Sequence, residues 1–503
     1  MKDSTESAAL TRAVRRKDLG IKEGRMCIAC SSGFKQRIVL AVFILVALTA
    51  GWSALPAVRF QTAVFPIDET VADLVAADVN GDGRCDLIAS CCTGRMSVFV
   101  QTQNGFSAKP SQTFPLDRGG IFFQAADVNG DSMAELVFLT ETGVYKKTWS
   151  GDSGFVGWAP IALSQTIFHQ TNPYPVSQWA FVRNLDSTAS LTILIPKAGW
   201  METYVQDDSG QFVPGGRLWI EPEAALSFGR APTFSLRLPQ LQTADFNGDG
   251  LADLLAVYNS RLDVFFRQGF IRSRGDALIP PDLRFRFDID NEEGGMLETG
   301  DFNGDGRIDI ALVRESRSVH IHLNKGNRFD PVPDRILTAD RMAMACFIRD
   351  FNGDGLADVA FVELGLGLKN LFHFVFSQKI QKVLKCHFSR PDGSHPAEAD
   401  YRMAFKQAFR IKDPLNRNAF LCFDGDFNGD GLLDMAAGTG SGTVNVFPRL
   451  PGGGYGERAA SVIGVEESAA FRVKDLNGDA ISDLLVWHPS RTGFTVILSQ
   501  RRD

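Results

Sequence analysis

The stretch Asp245-Phe-Asn-Gly-Asp-Gly-Leu-Ala-Asp253, followed at once by the apolar run Leu254-Leu-Ala-Val257, decides the fold of this chain. Side chains that carry oxygen stand at positions 1, 3, 5 and 9 of the loop, and glycines stand at positions 4 and 6. This spacing lets a tight turn place several hard oxygen ligands around a cation such as calcium, and glycine allows the backbone conformations of such a turn. The apolar run is short and ends at turn-forming residues, so it predicts a buried strand.

The same loop occurs seven times in the sequence. Five copies are complete, whereas those that begin at Asp127 and Asp475 carry Ser132 and Ala480 in place of the second glycine. We expect about five to seven of the loops to bind calcium as a structural ion. The predicted metal-ligating residues are Asp78, Asn80, Asp82, Asp86, Asp127, Asn129, Asp131, Glu135, Asp245, Asn247, Asp249, Asp253, Asp301, Asn303, Asp305, Asp309, Asp350, Asn352, Asp354, Asp358, Asp426, Asn428, Asp430, Asp434, Asp475, Asn477, Asp479 and Asp483.

The loop differs from an EF-hand, which carries a bidentate Glu at position 12 and a helix on each side. Position 12 is apolar here, as at Ala256, Leu312 and Phe361. A dockerin-like module, which also repeats an acidic loop, would place a helix where these apolar runs stand. We therefore expect each loop to join two strands.

The spacing of the loops predicts the architecture. Three of the six steps between successive loops are 49 residues long, and the longest, from Asp127 to Asp245, is 118 residues. Asn184–Thr192 lies in that gap in the same register but has lost most of its carboxylates, and we expect no ion there. With this copy the chain has eight units, in each of which the loop joins strand A to strand B, and strands C and D follow. Such repeats predict an all-β chain folded as a β-propeller of eight four-stranded blades, with seven blades as the alternative.

The two ends of the repeat region predict how the ring closes. The last unit has room for strands A, B and C but not for strand D, and a spare strand, Val58–Phe65, precedes the first loop. We expect residues 58–66 to pair with the strand near Thr495–Ser499. A ring removes the open strand edges that would otherwise invite aggregation.

The loops resemble those of the FG-GAP (VCBS-type) repeat family, which includes the propellers of integrin α-subunits and of several calcium-containing lectins. The resemblance covers about residues 59–503 and rests on the pattern Asp-x-Asn-Gly-Asp-Gly-x-x-Asp. It implies a calcium-stabilised propeller that serves as a binding or adhesion module for a glycan or protein ligand. The family mostly builds seven-bladed propellers, so the eight units counted here depart from its usual pattern.

In similar propellers the ligand meets the face opposite the ion loops, which carries the B–C turns and the connections between units. Exposed aromatic and arginine side chains on that face would suit a sugar or a protein. Each of them, taken alone, also fits a core position or a solvated surface. The candidate ligand-binding residues are Trp158, Trp200, Trp219, Arg261, Arg314 and Arg491.

Short catalytic motifs are absent from the sequence: it has no His-Glu-x-x-His, nucleophile elbow, phosphate loop or dinucleotide fingerprint. His320 and His322 share one face of a predicted strand, where they fit either a metal pair or an ordinary polar surface. A lysine, tyrosine or arginine that eliminates polysaccharide would leave no motif, and some polysaccharide lyases use an eight-bladed calcium-bearing propeller. The sequence therefore favours a binding module without enzymatic activity, with a polysaccharide lyase or other glycan-active enzyme as the alternative.

Charge and cysteine content add few constraints. The formal net charge is −7, and bound calcium would neutralise much of the acid in the loops. No basic stripe interleaved with aromatic residues indicates a nucleic-acid partner. Cys386 and Cys422 flank part of a predicted insertion near residues 364–418, and the sequence allows either a disulfide or two buried thiols there.

The N-terminal region predicts export. Ile38–Leu55 is a run of eighteen uncharged residues preceded by basic residues, which sends the following chain across a membrane. We interpret residues 1–37 as a cytoplasmic leader or as sequence upstream of a true start at Met26. Residues 38–57 are then a cleaved signal peptide or a membrane anchor, and residues 58–503 are the propeller. The predicted location is extracytoplasmic: secreted, periplasmic or at the cell surface, with the membrane as a partner if residues 38–55 are retained.

Overall fold

The computed structural model describes residues 59–169, 176–185, 190–228, 232–266, 277–287, 296–315, 317–365, 379–408, 420–440, 442–465, 470–488 and 491–501. The chain divides into residues 1–55 and 56–503. The predicted leader and the apolar segment 38–55 lie outside the described residues. Among the residues that are described, no helix is long and apolar enough to cross a membrane.

The described residues are all-β apart from one short 3-10 turn, Gly151–Ser153. The first four units contain β1 (Arg59–Ala77), β2 (Asp86–Cys91), β3 (Arg95–Phe99), β4 (Gln101–Thr102), β5 (Gly105–Phe106), β6 (Gln112–Pro115); β7 (Gly120–Ala126), β8 (Glu135–Thr140), β9 (Gly143–Trp149), β10 (Phe155–Ala162), β11 (Ser177–Gln178); β12 (Val182–Arg183), β13 (Thr192–Pro196), β14 (Met201–Gln206), β15 (Phe212–Leu218), β16 (Glu223–Phe228), β17 (Pro232–Arg237); β18 (Gln240–Ala244), β19 (Asp253–Val257), β20 (Arg261–Phe265), β21 (Leu278–Ile279) and β22 (Leu283–Arg286).

The remaining four units contain β23 (Met296–Gly300), β24 (Asp309–Arg314), β25 (Ser318–His322), β26 (Arg335–Thr338); β27 (Ala343–Arg349), β28 (Asp358–Leu364), β29 (Lys379–His387), β30 (Tyr401–Ala408); β31 (Leu421–Gly425), β32 (Asp434–Gly438), β33 (Thr443–Phe447), β34 (Ser461–Gly464); β35 (Ala470–Lys474), β36 (Asp483–Trp487) and β37 (Thr492–Gln500). Within the described ranges, units 1 to 7 each contain an antiparallel A-B-C-D group in chain order, as in β23-β24-β25-β26, and unit 8 takes its strand D from β1. Strands β11 and β21 add a parallel strand to units 2 and 3. Each acidic loop joins strand A to strand B, as the sequence predicted.

The position of a strand within its unit explains its residue pattern. Strand B lies in the middle of its group, and every residue of β19 is buried, which is why a short, wholly apolar run marks it. Strand D lies at the outer edge, and β30 alternates buried and exposed residues because one of its faces meets solvent.

Hydrophobic clusters join each unit to the next. Phe138 of unit 2 packs with Ile88 of unit 1, and the same arrangement continues along the chain through units 3 to 8. A further cluster joins unit 8 back to unit 1, with Leu485 and Phe494 packing against Leu87. Among the described residues the apolar core therefore lies between units rather than within any one of them.

The long strand β1 belongs to two units at once. Its first half pairs with β37, from Arg59 opposite Gln500 to Phe65 opposite Phe494, and supplies strand D of unit 8. Its second half pairs with β2 as strand A of unit 1, and the register shifts between the two halves. The predicted pairing of residues 58–66 with Thr495–Ser499 is thus confirmed for residues 59–65.

The structure revises one expectation and decides between the two alternatives of another. The predicted insertion near residues 364–418 contains β29 and β30, which are strands C and D of unit 6, so these described residues belong to the repeat itself. Residues 366–378 and 409–418 lie outside the described residues. Cys386 and Cys422 are free thiols: Cys386 packs in the cluster between units 6 and 7, whereas Cys422 packs in the cluster between units 7 and 8. Burial raises the pKa of Cys422 to about 12 and also raises the pKa of Cys386.

Replacing Phe65 tests the closing strand. The Phe65 ring is 2% exposed, lies 4.9 Å from the stacked ring of Phe494 and meets Phe99 edge-on at 5.4 Å. Phe65→Ala should lower the free energy of unfolding by about 3–5 kcal/mol, measured by denaturant titration. The neighbouring Val64→Ala is the control, since Val64 is 53% exposed. Equal effects of the two substitutions would contradict the closure.

Candidate functional site

Each acidic loop is held by hydrogen bonds from its own backbone. In unit 5, Asp301 accepts N–H groups through both oxygens, from Gly304 at 2.7 Å and from Gly306 at 2.9 Å. The side-chain oxygen of Asn303 accepts the N–H of Asp305 at 3.0 Å. These contacts fold the loop so that the oxygen-bearing residues at positions 1, 3 and 5 share one tight turn.

The carboxylate at position 9 has a separate role. Asp309 is 0% exposed; one of its oxygens accepts the N–H of Phe302 in the loop at 2.9 Å, and the other accepts the N–H of Asn324 beyond strand C at 2.7 Å. This carboxylate ties the A–B loop to the C–D turn at the same edge of the sheet. The same pair of contacts occurs at Asp86, Asp358, Asp434 and Asp483.

Burial makes the ionised form of these carboxylates unfavourable. It raises the pKa of Asp309 to about 7, with a further contribution from the charges of Asp305 and Asp301. The pKa of Asp86 rises to about 6 for the same reasons, and those of Asp358, Asp434 and Asp483 rise to about 7. A divalent cation in the loop would favour the ionised form and offset this repulsion.

The residues of the loop fit calcium by donor chemistry, because carboxylate, amide and backbone carbonyl oxygens are the hard ligands that calcium takes. Their placement as ligands stays a prediction. Among the described residues, no group of three or more Asp, Glu, His or Cys side chains is arranged to hold a metal ion. The carboxylates instead accept N–H groups of the loop and of the neighbouring turn.

The loop of unit 2 departs from the others. Glu135 stands at position 9 and accepts the N–H of Val128 at 3.0 Å, but its other oxygen lies 3.2 Å from the Lys146 ammonium. Glu135 is 1% exposed, so this positive charge partly replaces the one that a bound cation would supply. We expect weaker calcium binding here than in the five complete loops.

Among the described residues, a backbone hydrogen bond joins the loops of units 1 and 2, of units 5 and 6, and of units 7 and 8. The N–H at position 8 of one loop donates to the carbonyl at position 1 of the preceding loop. This contact joins Ala134 to Asp78 at 2.8 Å and Ala357 to Asp301 at 2.7 Å, and the corresponding contact in unit 8 reaches Asp426. The degenerate loop Asn184–Thr192 lies partly outside the described residues.

The three candidate tryptophans contact cationic side chains of their own chain. The Lys147 ammonium lies 4.9 Å above the Trp158 ring, whose Nε1 donates to Asp117. Guanidinium groups lie 5.9 Å from Trp200 and 5.2 Å from Trp219. These contacts favour packing as the present role of Trp158. Trp219 is 37% exposed and is the most accessible of the three.

The three candidate arginines lie in different units. Arg261 covers the Tyr258 ring at 3.8 Å and forms an ion pair with Asp263. Arg284 also pairs with Asp263 and links this group to Trp219. Arg314 lines a cavity between units 4 and 5, and Arg491 is exposed in unit 8. The structure thus brings Trp219 and Arg261 into one network but does not gather all six candidates.

The cavity beside Arg314 contains residues that the sequence interpretation missed. Phe285 and Phe287 line it together with His320 and His322. The alternation in Leu283-Arg-Phe-Arg-Phe287 was the available signal, because alternate side chains of a strand point to opposite faces. The two histidines form part of a cavity wall rather than a solvated outer face.

Comparison with known families agrees with the repeated loops. The model of the FG-GAP-like repeat matches residues 78–138 and 301–361. The chain is an FG-GAP repeat protein. Each matched segment of this FG-GAP repeat protein begins at position 1 of one loop and ends inside strand B of the next unit. No curated protein sequence matches it significantly.

Three solved structures are similar to this chain at low values. An Agrocybe aegerita lectin, described as recognising non-reducing terminal N-acetylglucosamine, is 15% identical over 67% of this chain and 85% of that chain, with a TM-score of 0.34. BBS1N in complex with ARL6DN is 8% identical over 89% and 98%, with a TM-score of 0.40. Sqt1 of Saccharomyces cerevisiae is 10% identical over 89% and 100%, with a TM-score of 0.44. These values carry no functional argument, and the fold of the FG-GAP repeat protein rests on its own strand pairing.

The carboxylate at position 9 of each loop should stabilise the FG-GAP repeat protein even without calcium. Asp309→Ala leaves two buried N–H groups without their acceptor, so we expect a loss of about 2–6 kcal/mol of unfolding free energy in EDTA, measured by denaturant titration. Asp305→Ala in the same loop is the control and should lose less than about 1 kcal/mol in EDTA, since its contacts are exposed. Similar losses of unfolding free energy for both variants would show that Asp309 does not join the A–B loop to the C–D turn.

The altered loops should gain stability from glycine. Ala480 has φ of 62° and Ser132 has φ of 68°, a left-handed conformation that costs side-chain-bearing residues energy. Ala480→Gly should raise the unfolding free energy by about 0.5–1 kcal/mol in a thermal or denaturant scan, after the entropy of glycine is included. Gly306→Ala is the reverse control: its φ is 76° and its added Cβ would meet open space, so only backbone strain is introduced. The prediction fails if both substitutions destabilise the protein.

Proposed function

We propose that this FG-GAP repeat protein is an exported, calcium-binding β-propeller of eight four-stranded blades. In this proposal it acts as a binding or adhesion module for a glycan or protein ligand. The observation that carries the proposal is closure: in the described residues, four-stranded groups follow one another and the last packs against the first. The unit at Asn184 supports eight blades rather than seven, since β12 to β15 form a complete group.

Calcium is proposed as a structural ion. The loops are short, their ligands are hard oxygens, and a buried carboxylate at position 9 faces two further carboxylates of the same loop. Sites with Kd values of about 10⁻⁴–10⁻³ M fill at extracellular calcium levels. This agrees with the export that residues 38–57 predict. If residues 38–55 are retained, they would anchor the module to the membrane.

Grooves between units support a binding role. Cavities of about 420 Å³ and 530 Å³ lie between the outer strands of units 4 and 5 and of units 6 and 7. The A strands offer fewer free charges to a ligand, because charged side chains of neighbouring A strands pair with each other. Arg472 pairs with Asp73 at 2.8 Å, and Arg349 pairs with Asp424 at 3.1 Å. The ligand is therefore proposed to meet the grooves and the B–C turns.

The alternative is a polysaccharide lyase or another glycan-active enzyme. The place for it is a cavity of about 410 Å³ along the A strands, where Arg472 and Lys474 lie near Asp424. A lyase would need one of these groups to act as a base in contact with substrate. Turnover of a polysaccharide, seen as a fall in solution viscosity, would favour this alternative, whereas saturable binding without turnover favours the module.

Removal of calcium tests the structural role. At a free calcium concentration of ten times Kd, each occupied site adds about 1.4 kcal/mol to the unfolding free energy. We therefore expect EDTA to lower the melting temperature and excess calcium to restore it, while equal magnesium restores less. A glycan array probed with and without EDTA reports ligand binding in parallel. An unchanged melting temperature in EDTA would rule out structural calcium.

A further inference from the structure

The cavity between units 4 and 5 has a composition that selects a class of ligand. It lies between the outer strand β22 and strand β25 and has a volume of about 420 Å³, within the roughly 300–1,000 Å³ range of small-molecule sites. Three arginines and two histidines line it, against a single aspartate. The wall is therefore suited to an anion rather than to a cation.

Strand register explains why these groups meet. In unit 5, His320 lies opposite Leu312, and Arg314 lies opposite Ser318. Because alternate residues share a face, Leu312, Arg314, His320 and His322 lie on one face of the sheet. Leu312 packs in the hydrophobic cluster between units 4 and 5, so this is the face that meets unit 4.

The acidic groups around the cavity already have cationic partners. Asp263 lies on the opposite face of β20 from Leu262 and Val264, which pack toward unit 5, and it receives two hydrogen bonds from Arg284, at 2.7 and 2.9 Å. Asp330 and Asp334 each lie 2.6 Å from the Lys325 ammonium. Arg286 lies opposite Arg261 and therefore on the other face of β22 from Phe285 and Phe287, but it is exposed and lines the cavity along this outer strand, where its guanidinium is accessible from solvent.

The histidines supply hydrogen bonds without charge. Burial lowers the pKa of both His320 and His322, and the nearby Arg314 charge lowers both further. The Nδ1 atom of His322 lies 2.9 Å from the carbonyl oxygen of Asp330, which can only accept, so Nδ1 carries the proton. Nε2 is then the accepting nitrogen of the ring, which suits a hydroxyl donor.

Aromatic rings form the remaining wall. Phe329 lies 4.7 Å from Phe285 and 6.2 Å from Phe287, both edge-on, and Phe287 lies 5.4 Å from the His322 ring. Flat apolar surfaces of this kind pack against the C–H face of a sugar ring and remove it from water. A simple inorganic anion would leave that wall unused.

We propose that this cavity binds an acidic sugar unit of a glycan. Arg286 and Arg314 hold its anionic group, and the phenylalanines contact its ring. The inference rests on the proposed binding function and specifies its ligand class. Carboxylated and sulfated sugars share this chemistry, so the experiment compares them directly.

The test is a titration of the full-length protein with monosaccharides in excess calcium, followed by calorimetry or saturation-transfer NMR. The probes are methyl galacturonoside, galactose 6-sulfate and neutral methyl galactoside. We expect at least one acidic sugar to bind. The neutral sugar should bind about tenfold more weakly, because it lacks one charge-assisted contact. Preference between the two acidic probes identifies the anionic group.

Variants locate the site. Arg286→Gln and Arg314→Gln should each weaken acidic-sugar binding by about tenfold, and Arg286→Lys should retain part of it. Arg402→Gln, at an exposed arginine on the outer strand β30 of unit 6, is the matched control and should leave binding unchanged, with melting temperatures confirming that each variant is folded.

Two outcomes would overturn the inference. Acidic-sugar binding that survives both Gln substitutions, or equal binding of the neutral sugar, places the ligand elsewhere and leaves the broader binding function intact. If neither these probes nor any ligand on the glycan array binds, and no protein ligand is found by surface immobilisation, the proposed binding function fails as well.

Discussion

The buried carboxylate at the end of each acidic loop is the interaction on which the rest of the structure depends. In unit 6, Asp358 accepts one N–H from the A–B loop at Phe351 and one from the C–D turn at Ser389. Two turns that are far apart in sequence are thereby fixed at one edge of the sheet. Hydrogen bonds to an ionised carboxylate are among the stronger protein hydrogen bonds. Without a cation, Asp358 is mostly ionised only above its raised pKa of about 7. Calcium, as proposed, would add to this contact by relieving the repulsion among the loop carboxylates.

The fixed loops and the hydrophobic clusters support each other. A four-stranded group has little core of its own, because its apolar residues face the neighbouring units, as Phe361 does between units 5 and 6. Each unit is therefore stable only beside its neighbours. The long strand β1 joins the two ends of the repeat region, since it pairs with β37 and with β2. Loop-to-loop hydrogen bonds, such as that from Ser482 to Asp426, add a second connection between units.

The repeated pattern predicted much of the fold because local chemistry fixes it: a nine-residue acidic turn, then an apolar B strand, at regular spacing. Even the departures kept the geometry, as the left-handed Ala480 shows. Contacts between units could not be predicted from the sequence, since no local pattern indicates which residues of neighbouring units meet. For example, the sequence did not indicate that Trp158 contacts Lys147 or that Arg261 pairs with Asp263. The aromatic cavity wall at Phe285 also depends on packing between units. So does the separation of Cys386 and Cys422, which lie in the clusters on either side of unit 7.

Amide-resolved hydrogen exchange by NMR on the calcium-free protein tests the central claim most directly. If the Asp309 carboxylate at position 9 joins the two turns, the N–H groups of Phe302 and Asn324 should exchange as slowly as those of the buried strand β24. The N–H of Asp305, which bonds only within the exposed loop, should exchange much faster. Rapid exchange at Phe302 and Asn324, at rates equal to that of Asp305, would show that the carboxylate does not hold the loops and would contradict this account.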